Sequence, residues 1–176
     1  MQIISGLFKG KKLATSDKNE FHPMGSREKL ALFNMILPYL PNSSVLDAFA
    51  GSGALGLESL SRGAKSVVFL EKSPKIAKIL KNNIKNLNLP PSISTSVVVA
   101  SAKNFTSVEE FDLIFADPPY DDFRPEEVEN LLKFLKKSGI LVLSSPKSAK
   151  IPDFSSLKLE KSRSYAAASI SIYTKL

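Results

Sequence analysis

The sequence predicts an α/β fold: a Rossmann-like, doubly wound and mostly parallel sheet of seven strands with helices on both faces. Five short apolar runs alternate with three helical patterns, as in parallel β-α-β units. The apolar runs cover residues 45–49, 66–70, 96–100, 111–116 and 139–144. The helical patterns cover residues 54–62, 74–88 and 125–137. Two later apolar segments, 157–163 and 167–174, predict a hairpin whose last strand runs antiparallel to the rest.

Residues 1–176 are expected to form a single domain, because 176 residues that are 43% hydrophobic can bury one sizeable core. A small hairpin is predicted at residues 1–13, where apolar and basic stretches surround two glycines, and a polar loop completes an extension at residues 1–25. Ser26 is expected to cap a further helix, which precedes the first predicted strand and ends before Pro38. The core of the fold is therefore predicted to cover residues 26–176.

Composition limits the functional classes to which this protein can belong. With 24 Lys and Arg against 17 Asp and Glu, the formal charge of +7 favours a polyanionic partner such as nucleic acid. The absence of cysteine excludes disulfides and thiolate metal sites, and the single histidine makes a metal site unexpected. No apolar run approaches the roughly 18 residues of a membrane helix. We expect a monomer without metal in a reducing cytoplasm.

Four residues after the predicted strand 111–116 suggest a site for an amino group. In the sequence Asp117-Pro118-Pro119-Tyr120, the Asp carboxylate and the Pro118 carbonyl can each accept one N–H of a planar exocyclic amine. The prolines stiffen the turn, and Tyr120 offers a ring on which a base can stack. The alternative interpretation is a rigid turn after a strand.

A second motif predicts a nucleoside cofactor. The segment from Val45 to Gly56 reads as a strand, a glycine-rich turn at Gly51 and Gly53, and a helix start. Glu71 follows the next strand, where an acidic side chain can accept both hydroxyls of a ribose.

A nicotinamide dinucleotide and S-adenosylmethionine compete for this site. Asp47 favours the sulfonium cofactor, since a carboxylate there can face its amino group and would repel a pyrophosphate. Alternatively, Asp47 caps local backbone amides.

The two motifs are expected to face one crevice. In a doubly wound sheet, the strand before Gly51 and the strand before Asp117 are neighbours at the reversal of strand order. Their following loops then open at the same edge, so that a methyl donor and an amine acceptor can meet.

Taken together, these residues resemble class I methyltransferases, specifically the RsmD-type bacterial 16S ribosomal RNA guanine-N2 methyltransferases. The resemblance rests on three core segments: residues 46–58, Leu70-Glu71-Lys72 and Asp117-Pro118-Pro119-Tyr120. Three amino-terminal segments add to it: Ile3–Gly6, Lys9–Leu13 and Leu32–Asn34. It therefore covers almost the whole chain.

The resemblance implies S-adenosyl-L-methionine as cofactor, and 16S ribosomal RNA or the assembled small subunit as partner. The implied cofactor contacts are Asp47, Phe49, Gly51, Gly53, Glu71, Ser101 and Ala102. The implied base pocket is Asp117, Pro118, Pro119 and Tyr120. The candidate RNA contacts are Lys9, Lys11, Lys12, Arg27, Arg163 and Tyr165.

Several positions depart from the family's pattern and concern RNA docking and the choice of base. They are His22, Met24, Leu30, Ser101, Ser144 and Ala166. Position 144 is one at which the family often has a glutamate, at the end of the fifth strand. Two other functions therefore stay open: an N6-adenine methyltransferase acting on DNA or RNA, and a nucleic-acid-binding protein that has lost turnover. A further set of lysines, at positions 75, 78, 81 and 85, has a spacing typical of a solvent-exposed helix face.

Overall fold

The computed structural model describes residues 1–15, 24–165 and 168–176. The strands are β1 (Ser44–Asp47), β2 (Ser66–Leu70), β3 (Ser94–Val98), β4 (Phe111–Ala116), β5 (Leu135–Pro146), β6 (Leu157–Ser164) and β7 (Ala168–Lys175). The α-helices are α1 (Ser26–Ile36), α2 (Ala54–Ser61), α3 (Pro74–Leu87) and α4 (Pro125–Glu129). Short 3-10 helices cover Leu37–Tyr39, Ala102–Asn104, Tyr120–Asp122 and Leu132–Phe134.

All seven strands belong to one sheet, in the order β3-β2-β1-β4-β5-β7-β6. Neighbouring strands from β3 to β5 are parallel, and β7 is antiparallel to both β5 and β6. The predicted mostly parallel, doubly wound sheet with an antiparallel last strand is confirmed. In the described part of the chain, no helix is long and apolar enough to span a membrane.

The sheet separates two hydrophobic cores, because successive side chains of a strand point to opposite faces. Val45 and Phe115 pack in a first core with α1, α2 and α3. Leu46 and Ile114 pack in a second core, which includes Val128 of α4. Helices on both faces therefore cover the central parallel strands, as the sequence predicted.

Two local predictions were wrong. The helix expected at 125–137 ends at Glu129, because the apolar residues that follow are used to enter β5, whose Leu135 pairs with Phe111 of β4. Ser26 is the first residue of α1 and does not cap it. The cap is Gly25, whose N–H donates to Oε2 of Glu28 at 2.6 Å.

The amino-terminal extension is a small antiparallel pair, as predicted for residues 1–13. Gln2 and Lys12 form its bridge, and Ile3 N–H donates to the carbonyl of Lys11 at 3.0 Å. Ile3 and Phe8 are buried in the first core. The extension is thus part of the packed structure on the face that carries α2.

A buried carboxylate anchors this extension. Glu58 of α2 is fully buried and accepts the N–H groups of Ile4 at 2.8 Å and Ser5 at 3.1 Å. The same carboxylate lies 2.7 Å from Nε of Arg62 and 3.3 Å from Nζ of Lys29. Burial lowers the pKa of Lys29, while Glu58 opposes that shift. One acidic side chain therefore joins the extension, α1 and α2.

Glu58→Gln should destabilise the protein by about 3–5 kcal/mol, since it leaves two buried cations without their counter-charge. Urea unfolding measures the change. The matched control is Glu129→Gln on the exposed end of α4, which should change stability by less than about 0.5 kcal/mol. Equal stability of the two variants would show that the Glu58 cluster does not hold the extension.

Candidate active site

The candidate site lies at the carboxyl ends of β1 and β4, where the order of strands reverses. These strands are parallel neighbours with Asp47 opposite Phe115, and the N–H of Ala48 donates to the Phe115 carbonyl at 2.9 Å. The loops that follow the two strands therefore open at the same edge of the sheet. The predicted adjacency of the glycine-rich turn and the Asp117 turn is confirmed.

The glycine-rich loop needs glycine for two different reasons. Gly51 and Gly53 have φ of 52° and 85°, a left-handed conformation that side chains disfavour. A Cβ on Gly51 would meet no heavy atom within 4 Å, so this backbone faces open space. A Cβ on Gly56 would lie 2.3 Å from the ring of Phe69, so this glycine lets α2 pack closely on β2.

Asp47 is buried and supports the start of α2. Its Oδ2 accepts the N–H of Gly56 at 2.9 Å, as the capping alternative predicted. Burial raises the pKa of Asp47 to about 7; the Gly56 bond opposes this, and the charges of Asp117 and Glu71 add to it. A carboxylate has about four lone-pair positions, so this bond leaves capacity for a ligand.

Glu71 fixes the glycine-rich loop to the end of β2. Its Oε2 accepts the N–H of Gly51 at 2.9 Å and its Oε1 accepts the N–H of Ser73 at 2.7 Å. Ser73 is the amino-terminal cap of α3. Both oxygens of Glu71 are thus oriented by backbone groups, and their remaining lone pairs can accept ribose hydroxyls.

Asn83 is a supporting residue that the sequence analysis missed. Its Nδ2 donates to the carbonyls of Ser52 and Ala14, both at 2.9 Å, and its Oδ1 accepts the N–H of Ala14 at 2.9 Å. One amide therefore joins the extension, α3 and the glycine-rich loop. The available signal was a polar residue at a position of α3 that helical spacing assigns to the buried face, beside Leu80 and Leu87.

The segment implied for adenine follows β3. Ser101 is partly exposed, whereas the side chain of Ala102 is buried in the second core and its carbonyl accepts Nδ2 of Asn130 at 3.1 Å. Phe49 is partly buried against the same core. Ser101 and the backbone are therefore the parts of this segment that can face a ligand.

The Asp117 turn is organised by Ser144 at the end of β5. The hydroxyls of Tyr120 and Ser144 lie 2.6 Å apart, and Ser144 also hydrogen-bonds the Asp117 carboxylate. Because a carboxylate only accepts, Ser144 donates to Asp117 and accepts from Tyr120. Burial raises the pKa of Asp117 to about 6, and burial together with the charge of Asp117 raises the pKa of Tyr120 to about 12.

Three carboxylates give the crevice a negative character. Asp47, Glu71 and Asp117 follow or end adjacent strands, and their partners described above are backbone N–H groups and a hydroxyl. Within the described residues, no group of three His, Cys, Asp or Glu side chains is arranged to hold a metal. The geometry suits a positively charged organic ligand beside a group that donates two N–H bonds.

Comparison with known proteins now identifies the family. A family model described as conserved hypothetical protein 95 matches residues 1–174. The chain belongs to this family. It is 37% identical over 154 residues to the ribosomal RNA small subunit methyltransferase D of Haemophilus influenzae, an alignment covering 84% of this chain and 79% of that protein. A protein of the same name from Buchnera aphidicola is 34% identical over 155 residues, covering 85% and 80%. The resemblance to RsmD-type enzymes is confirmed.

Solved structures support the same conclusion. A Haemophilus influenzae protein assigned as a methylase superimposes with a TM-score of 0.83 at 32% identity, covering 100% of this chain and 98% of that one. The N-methyltransferase NodS of Bradyrhizobium japonicum has a TM-score of 0.64 at 16% identity, covering 85% and 94%, and shares the fold. The chain is a member of a methyltransferase family.

The candidate RNA contacts lie on the amino-terminal extension, on α1 and at the carboxyl-terminal hairpin. On the extension and on α1, four of them are exposed: Lys9, Lys11, Lys12 and Arg27. Arg163 of β6 is exposed and stands in one register row with Ile170 and Ser144, two strands or about 10 Å from Ser144. Tyr165 packs against the first core, so part of its ring is covered by protein and is not available to RNA.

The residues that depart from the family pattern lie in different parts of the structure. Met24 packs against the first core, and Leu30 is 42% exposed on α1. Ser144 lies inside the site, as described above. His22 and Ala166 lie outside the described residues.

Asn83→Ala should lower stability by about 1–3 kcal/mol, because the N–H of Ala14 loses its partner. The affinity for S-adenosylmethionine should fall as well, because the glycine-rich loop loses the bond at Ser52. Urea unfolding and calorimetry measure the two effects. Asn82→Ala, the exposed neighbour on α3, is the control; identical behaviour of both variants would contradict the role of Asn83.

Proposed function

We propose that this chain is an S-adenosyl-L-methionine-dependent methyltransferase that methylates the exocyclic N2 of a guanine in 16S ribosomal RNA. The single observation that carries the proposal is the shared crevice, in which a negative cofactor loop adjoins a turn built to accept an amine. The relatives named as ribosomal RNA small subunit methyltransferases support the substrate class. The chain acts as a cytoplasmic monomer on the RNA or on the assembled small subunit.

The acidic crevice supports this choice of cofactor. S-adenosylmethionine carries a sulfonium and an ammonium, and it supplies an electrophilic methyl group when bound. Asp47 holds the ammonium, Glu71 accepts the ribose hydroxyls, and Ser101 with its neighbouring backbone borders the adenine. A nicotinamide dinucleotide fits poorly, because Asp47 would repel its pyrophosphate.

The Asp117 turn overcomes the main obstacle to the reaction, which is the weak nucleophilicity of the amine. The N2 lone pair of guanine is delocalised into the ring, so the amine is a poor nucleophile. When the Asp117 carboxylate and the Pro118 carbonyl each accept one N–H, the nitrogen can pyramidalise and direct its lone pair outward. Positioning at about 3–3.5 Å removes orientational freedom from the barrier. The same acceptors stabilise positive charge that develops on the nitrogen.

Ser144 and Tyr120 position this acceptor turn. The Ser144 hydroxyl binds both Tyr120 and Asp117, so the ring and the carboxylate are held in a fixed relation. The target base must leave its stack to enter the crevice, at a cost of a few kcal/mol. Stacking on the ring of Tyr120 offsets about 1–3 kcal/mol of that cost.

The direct test uses methyl-labelled S-adenosylmethionine and small ribosomal subunits from cells that lack this protein. The expected product is one N2-methylguanine in 16S ribosomal RNA, located by mapping the modified nucleotide. The amine turn also fits N6 of adenine, so N6-methyladenine in RNA or DNA would establish the alternative enzyme. Cofactor binding without transfer to any nucleic acid would instead indicate a binding protein.

Asp117→Asn should lower kcat by about a hundredfold or more, the usual cost of removing one preorganised charge-stabilising group. The affinity for S-adenosylmethionine, measured by calorimetry, should stay within about threefold, since the cofactor contacts are retained. The control is Asp121→Asn, an exposed carboxylate in the same segment, which should retain activity. Near-normal turnover of Asp117→Asn would remove the carboxylate from the reaction.

The pH dependence of kcat/KM should follow the ionisation of Asp117. Its pKa is raised to about 6, and protonation removes its acceptor function. At saturating S-adenosylmethionine, where the ammonium keeps Asp47 ionised, kcat/KM for subunits should therefore fall as the pH drops through about 6. Ser144→Ala should move this midpoint upward, because the Ser144 hydrogen bond lowers the pKa of Asp117.

Ser145→Ala is the matched control for that profile, since Ser145 is equally buried and its hydroxyl has no partner among the described residues. Its midpoint should stay at the wild-type value. A midpoint that moves downward in Ser144→Ala, or does not move, would contradict the network described for Ser144.

A further inference from the structure

Charge is strongly divided along this chain. Residues 59–108 contain a single acidic residue, the buried Glu71, and eight basic ones: Arg62, Lys65, Lys72, Lys75, Lys78, Lys81, Lys85 and Lys103. Residues 109–130 contain Arg124 and nine acidic residues: Glu109, Glu110, Asp112, Asp117, Asp121, Asp122, Glu126, Glu127 and Glu129. The basic stretch builds the β2–β3 side of the sheet with α3, and the acidic stretch builds β4 and α4.

The exposed face of α3 concentrates the positive charge. Its four lysines at positions 75, 78, 81 and 85 are exposed, and helical spacing places them opposite the buried Leu80 and Leu87. They extend over about 15 Å of the helix. The sequence Pro74–Leu87 contains no Asp or Glu.

This pattern differs from an ordinary solvated helix face. Such faces usually carry acidic residues three or four positions from lysines, where opposite charges stabilise the helix. On α3 the neighbours at these spacings are like charges, at 75 and 78, at 78 and 81, and at 81 and 85. Like-charge neighbours destabilise a helix, and a bound polyanion removes that penalty.

The extension is bonded directly to α3. Ala14 is bonded on both sides of its peptide to Asn83 of α3, with N···O distances of 2.9 Å. Lys12 is two residues away along the chain, so its Cα lies within about 8 Å of that of Ala14. Lys9 and Lys11 are exposed on the same small extension. This contact therefore fastens to α3 the segment that carries the exposed lysines of the extension.

This surface also leads to the crevice. Glu71 bonds the N–H of Ser73, the cap of α3, so the helix begins beside the proposed ribose position. Asn83 bonds Ser52 in the glycine-rich loop. A phosphate backbone lying along α3 would reach the crevice from its cofactor side, while Glu126, Glu127 and Glu129 of α4, which follows the Asp117 turn, would repel it on the other side.

We propose that a donor-side basic surface binds the sugar-phosphate backbone of the structured ribosomal RNA that flanks the target nucleotide. The surface consists of Lys9, Lys11, Lys12, Lys75, Lys78, Lys81 and Lys85. This inference rests on the proposed function and names where its substrate lies. The lysines of α3 thus belong to the binding surface and are not a passive solvated face.

The test replaces Lys75, Lys78, Lys81 and Lys85 together by glutamine, which keeps helix propensity and removes four charges. The probe is 16S ribosomal RNA in small subunits that lack the modification. KM for subunits should rise about tenfold or more at low salt, and the slope of log affinity against log salt should fall by about 3. The kcat at saturating subunits and the affinity for S-adenosylmethionine should not change.

The matched control is a second quadruple glutamine variant with the same change of net charge. It uses four exposed lysines near the amino ends of strands, at the end of the sheet away from the crevice: Lys65, Lys133, Lys137 and Lys158. This control should keep the wild-type KM and salt slope. If both variants showed the same rise in KM, the effect would be due to net charge alone and the proposed surface would be refuted. A wild-type KM in the α3 variant would also refute it.

The proposed surface and the proposed reaction can each be refuted without the other. If the wild-type protein binds subunits in a salt-dependent way that the α3 variant loses, yet transfers no methyl group, the surface stands and the reaction is refuted. If Asp117→Asn stops turnover while the α3 variant binds as wild type, the reaction stands and the surface is refuted.

Discussion

The parallel pairing of β1 with β4 is the constraint on which the site depends. With Asp47 opposite Phe115, the turn after each strand leaves the sheet at the same edge. The two turns therefore share one crevice, and Asp47 and Asp117 lie close enough for the charge of one to raise the pKa of the other. A different strand order would separate the cofactor loop from the amine-accepting turn, and neither could supply the reaction alone.

The carboxylates of this crevice have structural roles, and the proposed reaction gives them binding roles as well. Asp47 stabilises the first turn of α2, and Glu71 joins the glycine-rich loop to α3. Backbone bonds orient these oxygens before any ligand arrives, so little reorganisation accompanies binding. Burial, with a smaller addition from the charges of Asp117 and Glu71, raises the pKa of Asp47 and so disfavours its ionised form. A cationic ligand offsets that cost, so the crevice favours positive charge.

The sequence predicted β2 and β4 to the residue, because each is a mostly apolar run between two charged residues. It failed after Glu129, where the same apolar residues fit both a helix and the entry into a buried strand. The partners of Asn83 and Ser144 could not be predicted, since they lie 69 and 24 residues away in the chain. Motifs of consecutive residues reveal the site, whereas its supporting contacts depend on packing.

Ser144 shows how a departure from a family's pattern can keep the chemistry. The resemblance places a glutamate at this position, and a second carboxylate beside Asp117 would further raise its pKa by repulsion. A hydroxyl instead donates to Asp117 and accepts from Tyr120, so one neutral group satisfies both partners. Because its hydrogen bond lowers the pKa of Asp117, the serine favours the ionised form that can accept an amine N–H. The substitution is therefore compatible with methyl transfer to an amino group near neutral pH.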